Sequence, residues 1–580
     1  MSEVKDRRIP ISRSQQTWIA TGLLLLFFFL AIDSLVGDSP TMDEQNHIAR
    51  GLALLRTGDP RLSLEHPPLV NLLSALPLLT MPELRLPTDH PSWDLPRGWY
   101  EFADQFMWQY NNEATRIVFL ARIPVVFLLI ALALVGYRFA QALWGGFAGI
   151  FAFGLLLFEP NLMAHGRYAT TDLGGTLFTF LTTFLLWILW QSPTDWDWRR
   201  WLAVSVAMGL AFGSKLSSIG FVVIWGILAL LPLYPCFHYH NNKRYIESAG
   251  KRLLQLFTAG VASLVMVWGI FAFQIGGNRF ESLTLHNIFT WPLPMPTFWA
   301  GLEQIFILTQ SGRMPSFMLG RFSDDGFLTY FPVAFLTKTP LVLIFLLIVA
   351  AFVLLWRGKT RRRALFLLLP AILLYILTIQ SALNIGYRHV LPALPYLLVL
   401  ISGLAAPEIS SLLSGVNKPM KEKVPILALT FGLITVIGIA LWIHPHYLSY
   451  FNRIAGGPAN GYRVLIDSNV DWGQDLLRLK SWMETNEVSE INLGWFGSAE
   501  ADYYGLAYRP LPGIGRDSFF QLWWDVPFNR TKPEPGVYAI SATSLWEVPL
   551  RVEEKTVYEW FRARQPDDRV GYSILIYHVR

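Results

Sequence analysis

An acidic pair and a Glu-His-Pro-Pro motif follow the first apolar run of the chain. The run covers residues 17–36 and is long enough to cross a bilayer. Soon after it come Asp43 and Glu44, and then Glu65 and His66. Carboxylates at the exit of a membrane helix lie at the depth of lipid headgroups, where a lipid-linked phosphate presents its cargo. Because ionisable groups near the hydrocarbon are costly, these side chains are candidates for function.

The composition is typical of a large polytopic membrane protein. Hydrophobic residues make up 53% of the 580 residues and charged residues only 15%, whereas soluble domains carry roughly 25% charged residues. The net charge of +5 would suit nucleic acid, but the Lys and Arg residues lie in short loops between apolar runs. That placement orients a membrane protein, so we expect a lipid bilayer and no nucleic acid as partner. The single cysteine, Cys236, excludes an intramolecular disulfide and a multi-cysteine metal site.

Apolar runs of about 20 residues predict roughly eleven membrane helices. The approximate spans are 17–36, 115–137, 145–160, 172–190, 201–214, 217–234, 253–275, 332–356, 364–381, 389–405 and 424–444. The first run is longer than a signal-peptide core and no Ala-x-Ala-like site follows it, so we expect an uncleaved helix. With eleven spans the basic loops all fall on one side, which the positive-inside rule makes cytoplasmic. This predicts a cytoplasmic N-terminus and a C-terminal region outside the cytoplasmic membrane.

Three long segments share the predicted outer face. Two are loops, at 37–114 and 276–331, and the third is the C-terminal region, 445–580. The third has too few long apolar runs to span a membrane. Its sequence patterns are a helical stretch near 473–486 and β-type runs at 491–493, 537–540 and 572–576. These patterns predict a mainly α membrane module, 1–444, followed by a small extracytoplasmic α/β domain.

Charged groups of both signs collect on the predicted outer face. Beyond the acidic pair and the Glu-His motif, the candidates are Arg122, Arg167, Asp172, Lys215 and Arg388. Transfer of a sugar from a lipid phosphate to a hydroxyl needs both signs, because a carboxylate can take the proton of the hydroxyl and fixed cations stabilise the departing phosphate. Lys215 follows a small-residue helix end and Arg122 opens the second span, so both are placed to meet a phosphate at headgroup depth.

The order of these motifs resembles the type-C glycosyltransferases (GT-C). It is most similar to the protein O-mannosyltransferase superfamily with its bacterial lipid A aminoarabinose transferase relatives. The elements that carry the resemblance are, in chain order, Asp43-Glu44, His66-Pro67-Pro68-Leu69, Arg122, Arg167 with Asp172, Lys215, and Arg388 before Leu391-Pro392. Each motif alone is weak, but their shared order and spacing relative to the spans make the combination strong over residues 15–405.

The resemblance implies a membrane glycosyltransferase with a polyprenyl-phosphate sugar as donor and no nucleotide sugar. We expect catalytic roles for Asp43, as the base, and for Glu44 and Asp172. We expect donor-phosphate contacts from Lys215, Arg122 and Arg388, and acceptor or loop roles for Glu65, His66 and Arg167. The acceptor is a hydroxyl of a protein, lipid or glycan. The sequence departs from the mannosyltransferases in two ways. Glu65 replaces the Asp-Val pair common before His-Pro-Pro, and no β-trefoil-like outer domain is visible, which puts a protein acceptor in doubt.

Each assignment has a structural alternative. Asp43 and Asp172 could cap helices, Glu44 could be a solvated helix residue, and His66 could shape a loop. Lys215, Arg388 and Arg122 could be anchors that snorkel to the headgroups.

Metal sites and other functional classes are weaker hypotheses. Asp467, Asn469 and Asp471 have the spacing of an EF-hand, but the glycine comes one place late and Arg478 stands where the twelfth-position glutamate belongs. Zinc would need a cysteine or a close histidine pair, so a divalent metal is not indicated and no cofactor is assigned. The alternative functions are a transporter or flippase and a non-catalytic lipid-sugar sensor. Transporters often show repeated halves and midplane charges, which this sequence lacks.

Overall fold

The computed structural model describes most of the chain. The described residues are 12–95, 97–191, 196–233, 242–276, 292–311, 316–379, 383–409, 418–512, 528–548 and 555–580. Parts of the predicted outer loop 276–331, namely 277–291 and 312–315, therefore lie outside them.

Helices dominate the described chain up to residue 443. They are α1 (Arg13–Leu35), α2 (Glu44–Thr57), α3 (Leu69–Ala75), α4 (Trp99–Asp104), α5 (Ala114–Trp144), α6 (Ala148–Phe158), α7 (Pro160–His165), α8 (Asp172–Leu189), α9 (Trp198–Ser214), α10 (Phe221–Leu230), α11 (Asn242–Ile270), α12 (Pro296–Ser311), α13 (Tyr330–Lys338), α14 (Leu341–Trp356), α15 (Gly358–Ile379), α16 (Leu394–Ser402) and α17 (Lys418–Ile443). Two hairpins interrupt them, formed by β1 (Ile275–Gly276) with β2 (Leu293–Pro294) and by β3 (Ser316–Met318) with β4 (Arg321–Ser323).

Within the described residues, six helices are long and apolar enough to cross a membrane. They are Ser14–Leu35, Ala114–Trp144, Asp172–Leu189, Ile246–Ile270, Gly358–Ile379 and Lys423–Ile443. Shorter apolar helices also occur, at Leu69–Thr80, Ala148–Phe158, Leu216–Leu230 and Leu391–Ala405. The protein is thus a multi-pass membrane protein, as predicted, but the count of eleven spans is not confirmed.

One predicted span, 332–356, is broken. α13 and α14 meet at an angle of 109° around Pro340. A proline lacks the amide hydrogen that continues a helix, and it disfavours helical geometry at the residue before it. Here Thr339 has the extended backbone that this restriction favours. The pair counts as one broken span or as a re-entrant segment.

The C-terminal region folds as the α/β unit that the sequence predicts. Its elements are α18 (Leu476–Thr485), β5 (Ile491–Gly494), β6 (Tyr508–Pro510), β7 (Gly536–Ser541), α19 (Ala542–Leu545), α20 (Glu559–Arg562), β8 (Asp568–Val570) and β9 (Ile574–Val579). The five strands form one mixed sheet in the order β6-β5-β7-β9-β8. β5 pairs in parallel with β6 and β7, whereas β9 pairs antiparallel with β7 and β8.

The segment after α1 is bonded directly to the C-terminal region. The amide of Ser39 donates to the carbonyl of Gln474 at 2.9 Å, and the amide of Met42 donates to the carbonyl of Trp472 at 2.9 Å. All four residues are buried. Asp43, the next residue, is therefore held beside a stretch of chain that follows it by more than 400 positions.

Candidate active site

Asp43 stands at the start of α2, as the capping alternative requires, but it does not cap the helix. Its backbone occupies the N-cap position and its side chain makes no cap hydrogen bond. One carboxylate oxygen accepts instead from Nη1 of Arg388 at 2.7 Å. The capping role therefore does not explain this aspartate, whose carboxylate faces the cations of the predicted site.

Arg388 is positioned by a close approach of two distant segments. It lies in a single 3-10 turn, Tyr387–His389, directly after Gly386. A Cβ at Gly386 would clash with Oγ of Ser468, so a larger residue there would displace the Ser468 side chain. The Tyr387 amide donates to Oδ1 of Asn469 at 2.9 Å. These contacts fix the turn against residues 468–469 and point the arginine at Asp43.

Four predicted residues form one alternating cluster, which we call the charged quartet: Asp43, Arg388, Asp172 and Lys215. Arg388 bonds Asp43 and lies 3.9 Å from Oδ2 of Asp172, and Nζ of Lys215 pairs with the other oxygen of Asp172. Asp172 is nearly inaccessible at 3% exposure, whereas the other three side chains are 13–18% exposed. A ligand can therefore reach the outer members of the quartet while Asp172 holds the two cations in place.

Two residues of the C-terminal region complete the surroundings of Arg388. The Trp472 ring lies under the guanidinium, 4.4 Å from its carbon to the ring centroid. Such cation–π contacts contribute roughly 0.5–2 kcal/mol, more when water is excluded, and Trp472 is 1% exposed. Asp467 lies close enough for its charge to interact with both Arg388 and Asp43. Burial raises the pKa of Asp467 to about 6, although Arg388 opposes this rise.

Asp467→Asn is expected to raise the stability of the protein at neutral pH. A carboxyl with a folded-state pKa of about 6 and an ordinary value of 3.8 is protonated in the folded protein and ionised in the unfolded chain between these pH values. Because the carboxyl ionises more easily in the unfolded chain, the free energy of unfolding falls progressively from pH 4 to pH 6, by about 3 kcal/mol at most. Thermal unfolding from pH 4 to pH 8 should show a wild-type deficit above pH 6 that disappears near pH 4. The exposed Asp502→Asn is the matched control, and an equal response of both variants would contradict the assignment.

Glu44 and Arg122 form a separate, fully buried pair. Nε and Nη2 of Arg122 donate to the two oxygens of Glu44 at 2.8 and 2.7 Å, and both side chains are at most 1% exposed. Glu44 also accepts from the amides of Thr41 and Ala169. Nη1 and Nη2 of Arg122 also donate to the carbonyl of Leu35 at the end of α1 and to those of Asp38 and Ser39 after it. In this arrangement a phosphate could reach Arg122 only if these bonds broke. We therefore propose that the pair supports the site, and that the predicted catalytic and phosphate-binding roles belong to other residues.

Arg122→Met should destabilise the protein by about 3–5 kcal/mol, because it leaves the Glu44 carboxylate buried without its cation. Adding Glu44→Gln removes the unpaired charge and should recover much of the loss. The measurement is thermal unfolding in detergent. Arg116→Met is the control, since Arg116 begins the same helix and pairs with Glu113 at the surface, with 58% and 45% exposure. Such exposed pairs contribute at most about 1 kcal/mol. Equal losses for the two arginines would refute the supporting role.

Arg167 belongs to a network that joins the segment between α1 and α2 to the C-terminal region. It pairs with Asp38 at 2.8 Å, and the other oxygen of Asp38 accepts from Arg478. Arg478 also pairs with Asp475 at 3.0 Å. Burial would raise the pKa of Asp38, but Arg167 and Arg478 outweigh it and lower that pKa to about 2. Arg167 is 2% exposed, so its contacts favour a joining role over direct acceptor contact.

Glu65 and His66 lie just before α3 and contact residues of α2, close to the charged quartet. Glu65 pairs with the buried Arg50 at 2.7 Å. The His66 ring lies 5.2 Å from the ring of His47, which bonds Asn71 at 2.9 Å. Burial, followed by the charge of Arg50, lowers the pKa of His66 well below its usual value. His66 is therefore neutral at physiological pH and can offer a hydrogen bond but no charge.

Two further histidines escaped the sequence prediction. Burial lowers the pKa of His389 well below 6.5, with Lys215 the next contribution, and burial lowers that of His165 to about 3. His165 packs on Trp472 with 6.0 Å between ring centroids. His389 directly follows Arg388, and His165 lies two residues before Arg167. This closeness to predicted site residues is the sequence feature that could have identified them. Asp467 begins the run that has the spacing of an EF-hand, and Trp472 follows the last residue of that run.

The described residues contain no group of three His, Cys, Asp or Glu side chains placed to hold a metal ion. Residues of the Asp467–Asp471 run form hydrogen bonds with other parts of the chain. Asp471 accepts from the Thr543 amide at 2.8 Å, and burial raises its pKa to about 7. Asn469 bonds Tyr387 and Tyr330. Carboxylates and fixed cations are the groups that the charged quartet offers.

Comparison with known proteins gives a family match and several similar structures. Residues 113–272 match the family described as dolichyl-phosphate-mannose-protein mannosyltransferase. ArnT from Cupriavidus metallidurans, bound to undecaprenyl phosphate, is 12% identical over 97% of both chains, with a TM-score of 0.46. AglB from Archaeoglobus fulgidus, in complex with an inhibitory peptide and a dolichol-phosphate, is 10% identical over 73% of this chain and 56% of that one, with a TM-score of 0.41.

A third structure is the S. cerevisiae protein O-mannosyltransferase Pmt1-Pmt2 complex bound to the sugar donor. It is 16% identical over 45% of this chain and 34% of that chain, with a TM-score of 0.33. No curated protein sequence matches the chain. The family match covers Arg122, Arg167, Asp172 and Lys215, the middle part of the predicted motif series. Over these residues the chain is similar to the dolichyl-phosphate-mannose-protein mannosyltransferase family.

Proposed function

We propose that the protein transfers a sugar from a polyprenyl-phosphate donor to an acceptor hydroxyl. The observation that carries this proposal is the charged quartet, in which the carboxylate of Asp43 lies 2.7 Å from a cation of the same open site. Such a pair matches a reaction that removes a proton at one atom and gathers negative charge at a neighbouring one. The match to a family named for a dolichyl-phosphate sugar supports the same class of donor.

The geometry suggests how donor and acceptor use the quartet in turn. We propose that the donor phosphate contacts Lys215 and Arg388, the two cations that remain 13–14% exposed. Arg388 then bonds the phosphate in place of Asp43. The freed carboxylate can accept a hydrogen bond from the acceptor hydroxyl and take its proton as the hydroxyl oxygen attacks the anomeric carbon. The bond from that carbon to the phosphate oxygen breaks, and the two cations hold the released lipid phosphate.

Mass spectrometry after deletion of the gene tests this function. Cells that lack the protein should accumulate a polyprenyl-phosphate sugar and lose one glycan or modified lipid. The wild-type gene should restore both, whereas a gene with Asp43→Asn should restore neither. If Asp43→Asn restores the product, Asp43 is not the base of the reaction. If the deletion leaves the lipid-linked sugars and the glycans unchanged, the protein is not the transferase.

We also propose that the site faces the outer side of the cytoplasmic membrane, with residues 1–444 as the membrane module and 445–580 outside. Single cysteines at Arg362 and Ile454 test this orientation in a Cys236→Ser background. Both positions are exposed, Ile454 by 66%. A membrane-impermeant maleimide added to intact cells should label position 454 and spare position 362, because basic loops stay in the cytoplasm. The reverse pattern would place the quartet on the cytoplasmic side.

A further inference from the structure

A polar cavity lies in the C-terminal region, apart from the charged quartet. It has a volume of about 240 Å³. Three arginines and three aromatic residues line it, together with Leu545 and the tip of the β3–β4 hairpin: Arg463, Arg562, Arg564, Tyr462, Trp546 and Tyr577. The volume is below the roughly 300–1,000 Å³ of drug-sized ligand pockets, so the cavity suits a single sugar-sized group.

The arginines of the cavity are held in place, yet two of them keep their charge uncompensated. Arg564 lies 3.4 Å from the centroid of the Trp560 ring and donates to the Trp560 carbonyl at 2.8 Å. Arg463 donates to the Tyr462 hydroxyl at 2.9 Å. Of the described residues, no carboxylate pairs with either one, whereas Arg562 pairs with Glu547 at 2.8 Å. The cavity therefore carries a net positive charge on rigid supports.

Two buried polar atoms of the lining lack a partner among the described residues. They are the hydroxyl oxygen of Tyr577, a residue that is 3% exposed, and Nε1 of Trp546. A buried polar group without a hydrogen bond costs roughly 1–3 kcal/mol, and native proteins keep few of them. Both residues line the cationic cavity, where a ligand with hydrogen-bonding groups would supply the missing partners.

The cavity is close to the candidate active site along the chain. Arg463 lies four residues before Asp467, so their Cα atoms are at most about 14 Å apart. The intervening residues Val464, Leu465 and Ile466 are buried, and the Leu319 amide of the hairpin donates to the Val464 carbonyl at 2.9 Å. A ligand of two or three linked sugar units spans such a distance, so one molecule could occupy both places.

We propose that this cavity binds an anionic saccharide, a sugar that carries a phosphate or carboxylate group. Guanidinium groups match the planar oxygens of such anions in fork geometry, and the aromatic faces offer apolar surface to the C–H face of a sugar ring. That this saccharide is part of the acceptor rests on the proposed transferase function. The binding itself does not depend on it.

Calorimetric titration of the full chain in neutral-lipid nanodiscs tests the proposal, with mannose 6-phosphate and glucuronic acid as anionic probes. Mannose and inorganic phosphate are the comparison probes. The anionic sugars should bind saturably and more tightly than either comparison probe. Repeating the titration in nanodiscs that contain phosphatidylglycerol separates a sugar site from a lipid headgroup site. Competition by the anionic lipid would show that the cavity holds a headgroup and would overturn the proposal.

Three cavity substitutions and one control outside the cavity locate the binding. Arg463→Ala and Arg564→Ala should each weaken binding roughly tenfold or more, as expected for charge-assisted hydrogen bonds. The exposed Arg453→Ala, on the same loop but outside the cavity, should leave it unchanged. Tyr577→Phe is the most informative variant, because it removes only an unpartnered hydroxyl. It should weaken binding several-fold while the unfolding temperature stays equal to the wild-type value or rises.

Two results would overturn the proposal. One is no saturable binding of either anionic sugar by the wild type, and the other is binding that the cavity variants leave unchanged. Failure of the transferase proposal is distinguishable, since Asp43→Asn leaves the cavity intact. If the wild type binds the anionic sugars but shows no transfer activity, the proposed reaction is refuted and the proposed cavity site is not.

Discussion

Asp43→Asn should reduce the rate of sugar transfer by roughly a hundred- to ten-thousand-fold, the range that a positioned general base contributes. Asparagine keeps the shape of the side chain and can still accept from Arg388, so the turn that carries this arginine should stay in place. Only the ability to take the proton of the acceptor hydroxyl is lost. Donor binding should therefore persist, and the loss should appear in the transfer step.

Single-turnover transfer from a synthetic polyprenyl-phosphate sugar is the measurement, alongside a separate titration of donor binding. The control is Asp94→Asn in the same segment between α1 and α5, where the carboxylate is 81% exposed and pairs with Arg61. That variant should transfer at the wild-type rate. A near-normal rate for Asp43→Asn would remove Asp43 from the role of base and leave it as a partner of Arg388.

Lys215→Ala should slow transfer by roughly 10²- to 10³-fold, about 2.7–4 kcal/mol, if this ammonium stabilises the departing phosphate as a single preorganised donor does. The effect should exceed that of Arg388→Ala and of Arg122→Ala on the transfer step. Lys215 follows the small-residue end of α9 and is open to a ligand, whereas Arg122 is enclosed by Glu44 and backbone carbonyls. Single-turnover transfer is again the readout, with thermal stability measured on the same samples.

The buried Asp172 complicates this variant, because Lys215 is also its partner. Lys215→Ala with Asp172→Asn separates the two effects. If the loss came only from an unpaired carboxylate, the double variant would recover both stability and rate. If Lys215 contacts the donor phosphate, stability should recover and the rate should stay low. Wild-type transfer by a normally folded Lys215→Ala would leave this residue as a headgroup anchor.

Local sequence patterns predict much of this protein because they reflect local physics. A run of about 20 apolar residues forms a helix in a membrane, since backbone groups in hydrocarbon must bond within the segment. Short alternating runs between turn residues form strands, which is why three of the five strands of the C-terminal sheet lie where their patterns predict. Such patterns do not reveal the 109° bend between α13 and α14 within one predicted span, and the count of eleven spans is not confirmed.

The members of the charged quartet were also visible in the sequence, because charges beside apolar runs stand out and share a predicted side. The sequence did not show which of these charges pair with one another. Arg388 and Asp43 are 345 positions apart, and their contact depends on the packing of the 386–388 turn against residues 468–469. Arg122 and Lys215 look alike in the sequence, as cations at the ends of apolar runs. Arg122 is buried against Glu44, whereas a ligand can still reach Lys215.

The sequence by itself therefore determined the membrane class, the mainly helical module with its C-terminal α/β region, and the residue types that converge on one side. Only the tertiary structure decided which charges pair, which remain accessible, and that Asp467 and Trp472 belong to the site. The physical reason is that hydropathy and periodicity act over a few residues. The cost of burying a charge depends on the partners that distant segments bring within about 3 Å of it.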